Sequence, residues 1–109
     1  MYREQADVRL LRARPRLKVF HTVEIRHAGG TVRGHLLDLS GGGALAYCAQ
    51  PPTVGADILV MLGDRLHSGT VVWRDGRRFG IAFAFRMTDA EIDHVIAQEA
   101  GRRMAALNR

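Results

Sequence analysis

From Lys18 onward apolar and polar positions alternate. Val19, Val23 and Ile25 recur at even steps between polar neighbours, the period of a strand with one face in a core. Ala28-Gly29-Gly30 is a turn signal, and Thr31 to Leu39 reads as the returning arm of a hairpin. Gly41-Gly42-Gly43 then interrupts, and Ala44 to Cys48 is a short apolar strand ended by Pro51-Pro52. Gly55 marks another turn, ahead of Ile58 to Leu62, an apolar run short enough to be a fully buried strand. Ser68 to Trp73, the Asp75-Gly76 pair and Phe79 to Phe85 form a second hairpin. In it Phe79, Ile81, Phe83 and Phe85 alternate onto one face and are expected in the core. Six short strands joined by tight turns predict a mainly β chain, either a small barrel or a sandwich.

The period changes after Phe85. Thr88-Asp89-Ala90-Glu91 is a capping box, and Ile92, Val95, Ile96 and Ala100 follow at helical spacing. Arg102 and Arg103 lie toward the C-terminal end, where the helix dipole favours cations. An amphipathic helix of about four turns is predicted over residues 88–106, with its stripe packed on the barrel or offered to a partner. Residues 1–8 have no periodicity and are expected to form a flexible N-terminal segment. The domain itself is expected over 9–109, with the barrel at about 17–86.

A chain of 109 residues holds one domain and can bury about two-thirds of its exposable surface. Apolar residues make up 47% and charged residues 25%, which argues for a soluble globular protein and against disorder. Cys48 is the only cysteine and sits in an apolar run, so it is expected as a small core residue. An unbridged thiol fits a reducing cytoplasm. Met1 to Gln5 lack the apolar segment of a signal peptide, and no apolar run reaches membrane-spanning length, so neither feature is expected. A cytoplasmic location is the expectation.

Charge adds the first hint of a partner. The net charge is +5, and Lys18 is the only lysine among sixteen basic residues. Such an excess fits an anionic partner. Arg3, Arg9, Arg12, Arg14 and Arg16 crowd the first sixteen positions. The bland reading of that crowd is a solvated basic tail. Arginine's planar fork nevertheless suits phosphate and guanine better than a lysine does.

Two clusters could carry chemistry. In Arg12-Ala13-Arg14-Pro15-Arg16, Pro15 disfavours helix and leaves the segment extended or turned. Extended, it holds Arg12 and Arg16 about 13 Å apart on one side. Two guanidinium groups so placed can grip an anion from both ends, through a phosphate or through O6 and N7 of guanine. In Asp38-Leu39-Ser40-Gly41-Gly42-Gly43, Asp38 and Ser40 share a face and Leu39 faces away. The carboxylate can accept from the N1–H and amino group of a guanine, and the hydroxyl can add one bond. The glycines tolerate positive φ and permit close approach to the backbone. An Asx or Ser turn with no ligand explains that second cluster equally well when it is taken alone.

Taken together, R-x-x-x-R (Arg12, Arg16), a hairpin, and D-x-S-x-x-G (Asp38, Ser40, Gly43) resemble the PilZ domain family. The resemblance continues through Gly55, Gly69-Thr70-Val71-Val72-Trp73-Arg74 and Phe79-Gly80-Ile81-Ala82-Phe83, covering about residues 9 to 86. It implies a six-stranded PilZ-type β-barrel with a C-terminal α-helix, a bacterial receptor for the second messenger cyclic di-GMP. It further implies that Arg12 and Arg16 wrap the ligand, that Asp38 and Ser40 contact a guanine, and that Gly43 preserves the turn. Leu11, Arg14 and Arg74 are additional candidate contacts. Ligand binding is expected to move the N-terminal segment, and a downstream protein to sense the change. No cofactor other than that nucleotide ligand is implied.

Other classes fit less well. Ser40, His35 and Asp38 lack the G-x-S-x-G context of a hydrolase, so no enzyme is expected. His21, His27, His35, His67 and His94 show no paired metal spacing. The triple glycine is neither G-x-G-x-x-G nor a P-loop. A basic barrel that binds nucleic acid is supported by the charge. It is opposed by the expected burial of Phe79, Phe83 and Phe85, since single-strand binders expose their aromatics. An adaptor that keeps the fold and works by protein contact alone is the remaining alternative.

Overall fold

The computed structural model describes residues 17–107, so the expectations for residues 1–16 lie outside the described residues. Six strands form: β1 (Leu17–His27), β2 (Gly30–Leu39), β3 (Gly43–Tyr47), β4 (Asp57–Leu62), β5 (Arg65–Asp75) and β6 (Arg78–Phe83). They close an antiparallel barrel in the order β1-β2-β3-β6-β5-β4. Closure comes from β1 on β4, where Ile25 pairs with Val60. Closing the sheet removes the unpaired edges that an open sheet would present.

The alternation read from the sequence fills the interior. Ile25, Leu36, Leu39, Val60, Val71 and Phe79 are all at or below 1% exposure, each contributing roughly 1.5–3 kcal/mol by burial. Cys48 joins them at 2%, and burial pushes its thiol above the usual value. Two expectations are corrected. The β4 run is not buried on both faces: Ile58, Val60 and Leu62 point inward while Leu59 is 38% exposed, as an antiparallel strand with a solvated outer face requires. Phe85 is not in the core either and is 80% exposed. β6 ends at Phe83, and the next amide, of Ala84, bonds across to the Ser68 carbonyl at 2.8 Å. The period of two stops there.

The helix α1 (Asp89–Leu107) begins at the predicted box. Glu91 N–H donates to Thr88 Oγ1 at 3.1 Å, and Thr88 N–H donates to Glu91 Oε1 at 2.8 Å. That second bond is the main reason the Glu91 carboxyl is held below its ordinary value. At 19 residues the helix runs about five turns, the same length as the span expected from the sequence. Ile92 and Val95 are buried and Ile96 packs beside them, whereas Ala100 is exposed. On the barrel side His21, only 2% exposed, pairs through Nδ1 with Glu99 at 3.1 Å. Among the described residues no helix is long and apolar enough to cross a membrane.

Candidate ligand-binding site

Leu39 enters the core at 1% exposure, which puts Asp38 on the opposite, outer face of β2. There the carboxylate is only 4% exposed, so this stretch of outer wall is covered. Asp38 pairs with Leu45 on β3, Leu45 with Gly80 on β6, and Gly80 with Trp73 on β5. These four form a row across the wall. Gly80 leaves its place to the Trp73 indole, which a Cβ there would strike. Trp73 keeps 43% of its surface exposed and offers an aromatic face on the outside of the barrel.

Ser40 opens the turn from β2 to β3. Its N–H and its hydroxyl both donate to the Gly43 carbonyl, at 2.9 and 3.2 Å. The hydroxyl oxygen keeps its acceptor capacity. None of the three following glycines adopts a positive φ; that conformation falls on Gly30, Gly55, Gly63 and Gly76. Close approach explains the run instead. A Cβ on Gly43 would be driven into the Ile81 carbonyl of β6, so this position is fixed by barrel packing. Gly41 and Gly42 lie under the Arg86 side chain: a Cβ on Gly41 would stand 3.2 Å from both Cζ and Nε.

Arg86 was not among the residues singled out from the sequence. It sits between β6 and α1, in no motif, and meets the glycine run only because two bonds hold the segment there. Phe83 N–H donates to Gly42 O at 2.9 Å, and Met87 N–H donates to Gly41 O at 2.8 Å. Arg74, a candidate in the sequence, points elsewhere. Its Nε–H donates to Gly76 O at 3.3 Å and its Nη1 to Pro51 O at 3.1 Å. These bonds tie the β5–β6 hairpin to the segment after β3, at the opposite end of β3 from Gly43. The structure therefore brings Asp38, Ser40 and Gly43 together and leaves Arg74 apart. Leu11, Arg12, Arg14 and Arg16 lie outside the described residues.

The strand register also says where the chain arrives. Leu17 pairs with Leu39 and Lys18 with Asp38. Residues 10–99 match the family model of the PilZ domain. The chain belongs to the PilZ domain family. In PilZ terms the described residues supply the barrel, the D-x-S-x-x-G turn and the C-terminal helix. No curated protein matches the sequence. Among the solved structures that share the fold are the following two. One is the PilZ domain of CeSA from a cellulose-synthesizing bacterium, with a TM-score of 0.57 and 19% identity, covering 83% of this chain and 99% of that one. The other is the Borreliella burgdorferi PlzA protein in complex with c-di-GMP, with a TM-score of 0.60 and 17% identity. That match covers 82% of this chain and 43% of PlzA.

Among the described residues no cluster of His, Cys, Asp and Glu could hold a metal ion. A cleft of about 400 Å³ between α1 and the β4–β5 turn, lined in part by Leu62, His67 and His94, lies away from the D-x-S-x-x-G turn. The candidate site lies on an outer wall of the barrel.

Proposed function

We propose that this PilZ domain is a cytoplasmic receptor for cyclic di-GMP, a binding module without catalysis, that regulates a downstream protein. The β1–β2 register supports this most. Leu17, next to Arg16 in the chain, pairs with Leu39, next to Ser40. The described chain thus begins beside the D-x-S-x-x-G turn, one residue after the second arginine of R-x-x-x-R in the sequence. The family assignment and the PlzA complex with c-di-GMP support the choice of ligand.

In this reading Arg12 and Arg16 close over the ligand with charge-assisted bonds to phosphate and guanine. The Asp38 carboxylate accepts from a guanine N1–H and amino group, and Ser40 adds a further bond. Gly43 acts by keeping the turn against β6. Trp73, in the same cross-strand row as Asp38, offers a stacking surface worth about 1–3 kcal/mol per base. Arg74, bonded to Pro51 and Gly76, takes no part. Ordering the N-terminal segment costs about 1–2 kcal/mol of backbone entropy per residue, and the ligand contacts offset this. The ordered segment is the surface a partner reads.

Calorimetric titration of cyclic di-GMP into the full chain, beside an Arg12→Ala, Arg16→Ala variant, tests the receptor role. Saturable binding lost in the variant is the expected result; no heat at high concentrations of both components rejects it. The switch is tested separately: unchanged amide exchange over residues 8–17 on ligand addition would dismiss it. One observation favours a second reading. Trp73 at 43% and Phe85 at 80% exposure, with a net charge of +5, suit a single-stranded nucleic acid. Binding that ignores cyclic di-GMP and collapses as salt rises is its signature.

A further inference from the structure

The D-x-S-x-x-G pattern asks for glycine only at Gly43, yet Gly41 and Gly42 precede it. Neither needs a special φ. What they provide is room. A Cβ on Gly41 would meet the Met87 carbonyl at 3.0 Å and Arg86 Cζ and Nε at 3.2 Å, and one on Gly42 would lie 3.4 Å from Arg86 Nη1, an ordinary contact. Two side-chain-free residues form a seat for one guanidinium.

The seat is built from both sides. Phe83 and Met87 bond to the carbonyls of Gly42 and Gly41, and Met87 is buried at 3%. The backbone on either side of Arg86 is therefore anchored, while Arg86 itself is exposed. Among the described residues no carboxylate pairs with it and no carbonyl accepts from it. Its charge lies beside the Ser40–Gly43 turn.

We propose that Arg86 is a third arginine of the ligand site, reaching a phosphate or the O6 and N7 edge of a guanine from the barrel side. This rests on the cyclic di-GMP reading and extends it to a residue outside both motifs. Arg12 and Arg16 belong to the N-terminal motif, whereas Arg86 follows β6 on the barrel. A fork with paired donors is required, so a lysine point charge replaces it poorly.

The test is titration of cyclic di-GMP into wild type, Arg86→Ala and Arg86→Lys, with thermal melts of each. A charge-assisted bond corresponds to about a 10- to 100-fold loss of affinity for Arg86→Ala, at an unchanged melting temperature. Arg86→Lys recovers only part of that loss. Wild type that binds while Arg86→Ala binds within about twofold of it overturns this inference and leaves the receptor reading standing. Wild type that fails to bind overturns both.

Discussion

Arg74 and Arg86 are both exposed arginines at the ends of barrel strands, and they differ in what surrounds them. Arg74 donates to Pro51 O and Gly76 O and so braces two loops. Arg86 lies over Gly41 and Gly42 with no acceptor of its own among the described residues. In a chain with sixteen basic residues, charge alone cannot mark a site. What distinguishes a binding arginine is that its donors are left over after the fold has been satisfied. The glycines near each arginine differ in the same way. Gly76 has a φ of 63° and open space around it, a turn glycine with a conformational task. Gly43 has an ordinary φ and a neighbour's carbonyl where its side chain would be.

The glycines give the largest expected effects. Gly43→Ala forces a methyl into β6 backbone at a fully paired position and is expected to cost about 3 kcal/mol or more, read as the shift of a urea unfolding midpoint. Gly76→Ala meets only a backbone penalty, about 1–2 kcal/mol by the same measurement. Equal costs at both positions would erase the distinction between the two turns.

Among the arginines, Arg74→Ala should lose about 1 kcal/mol of stability with its carbonyl bonds and leave cyclic di-GMP affinity alone. Arg86→Ala should do the reverse. Thermal melts paired with titrations separate the two, and an affinity loss in Arg74→Ala would put that residue back in the site.

A smaller effect lies at the start of α1. Thr88→Ala removes the cap and is expected to cost about 1 kcal/mol. Glu91 adds a pH dependence whose sign is set by its lowered carboxyl. Its contribution is complete above the unfolded value near 4.5 and disappears as pH falls through the lower folded value. Melts of wild type and Glu91→Gln should therefore differ at neutral pH and converge in acid. A gap that persists in acid would contradict this.

Much of the fold was legible because it is periodic. The alternation in β1, β2 and β5, the Asp75-Gly76 hairpin and the Thr88–Glu91 box all follow from local spacing. Closure into a barrel followed only from the family resemblance, since no local pattern encodes the pairing of β1 with β4 so far apart in the chain. Phe85 misled because it continues the alternation of Phe79, Ile81 and Phe83 after the ladder has ended. Asp38 and Ser40 could be found because they share one short motif on one strand end. Arg86 could not, since its relation to Gly41 exists only after the segment from Phe83 to Met87 folds across the turn. The glycine run was the available clue: two glycines beyond what the turn needs signal that something must fit above them.

The central claim is that the ligand lies against the Asp38–Gly43 turn and Arg86. The most direct test is a titration of labelled protein with cyclic di-GMP, following backbone amides and arginine Nε–H signals by NMR. Progressive shifts at residues 38–43 and 83–87 and at the Arg86 Nε–H, with the Arg74 Nε–H unmoved, are the predicted result. Shifts confined to Arg74 and the 75–78 turn, or to the cleft beside α1, would contradict it.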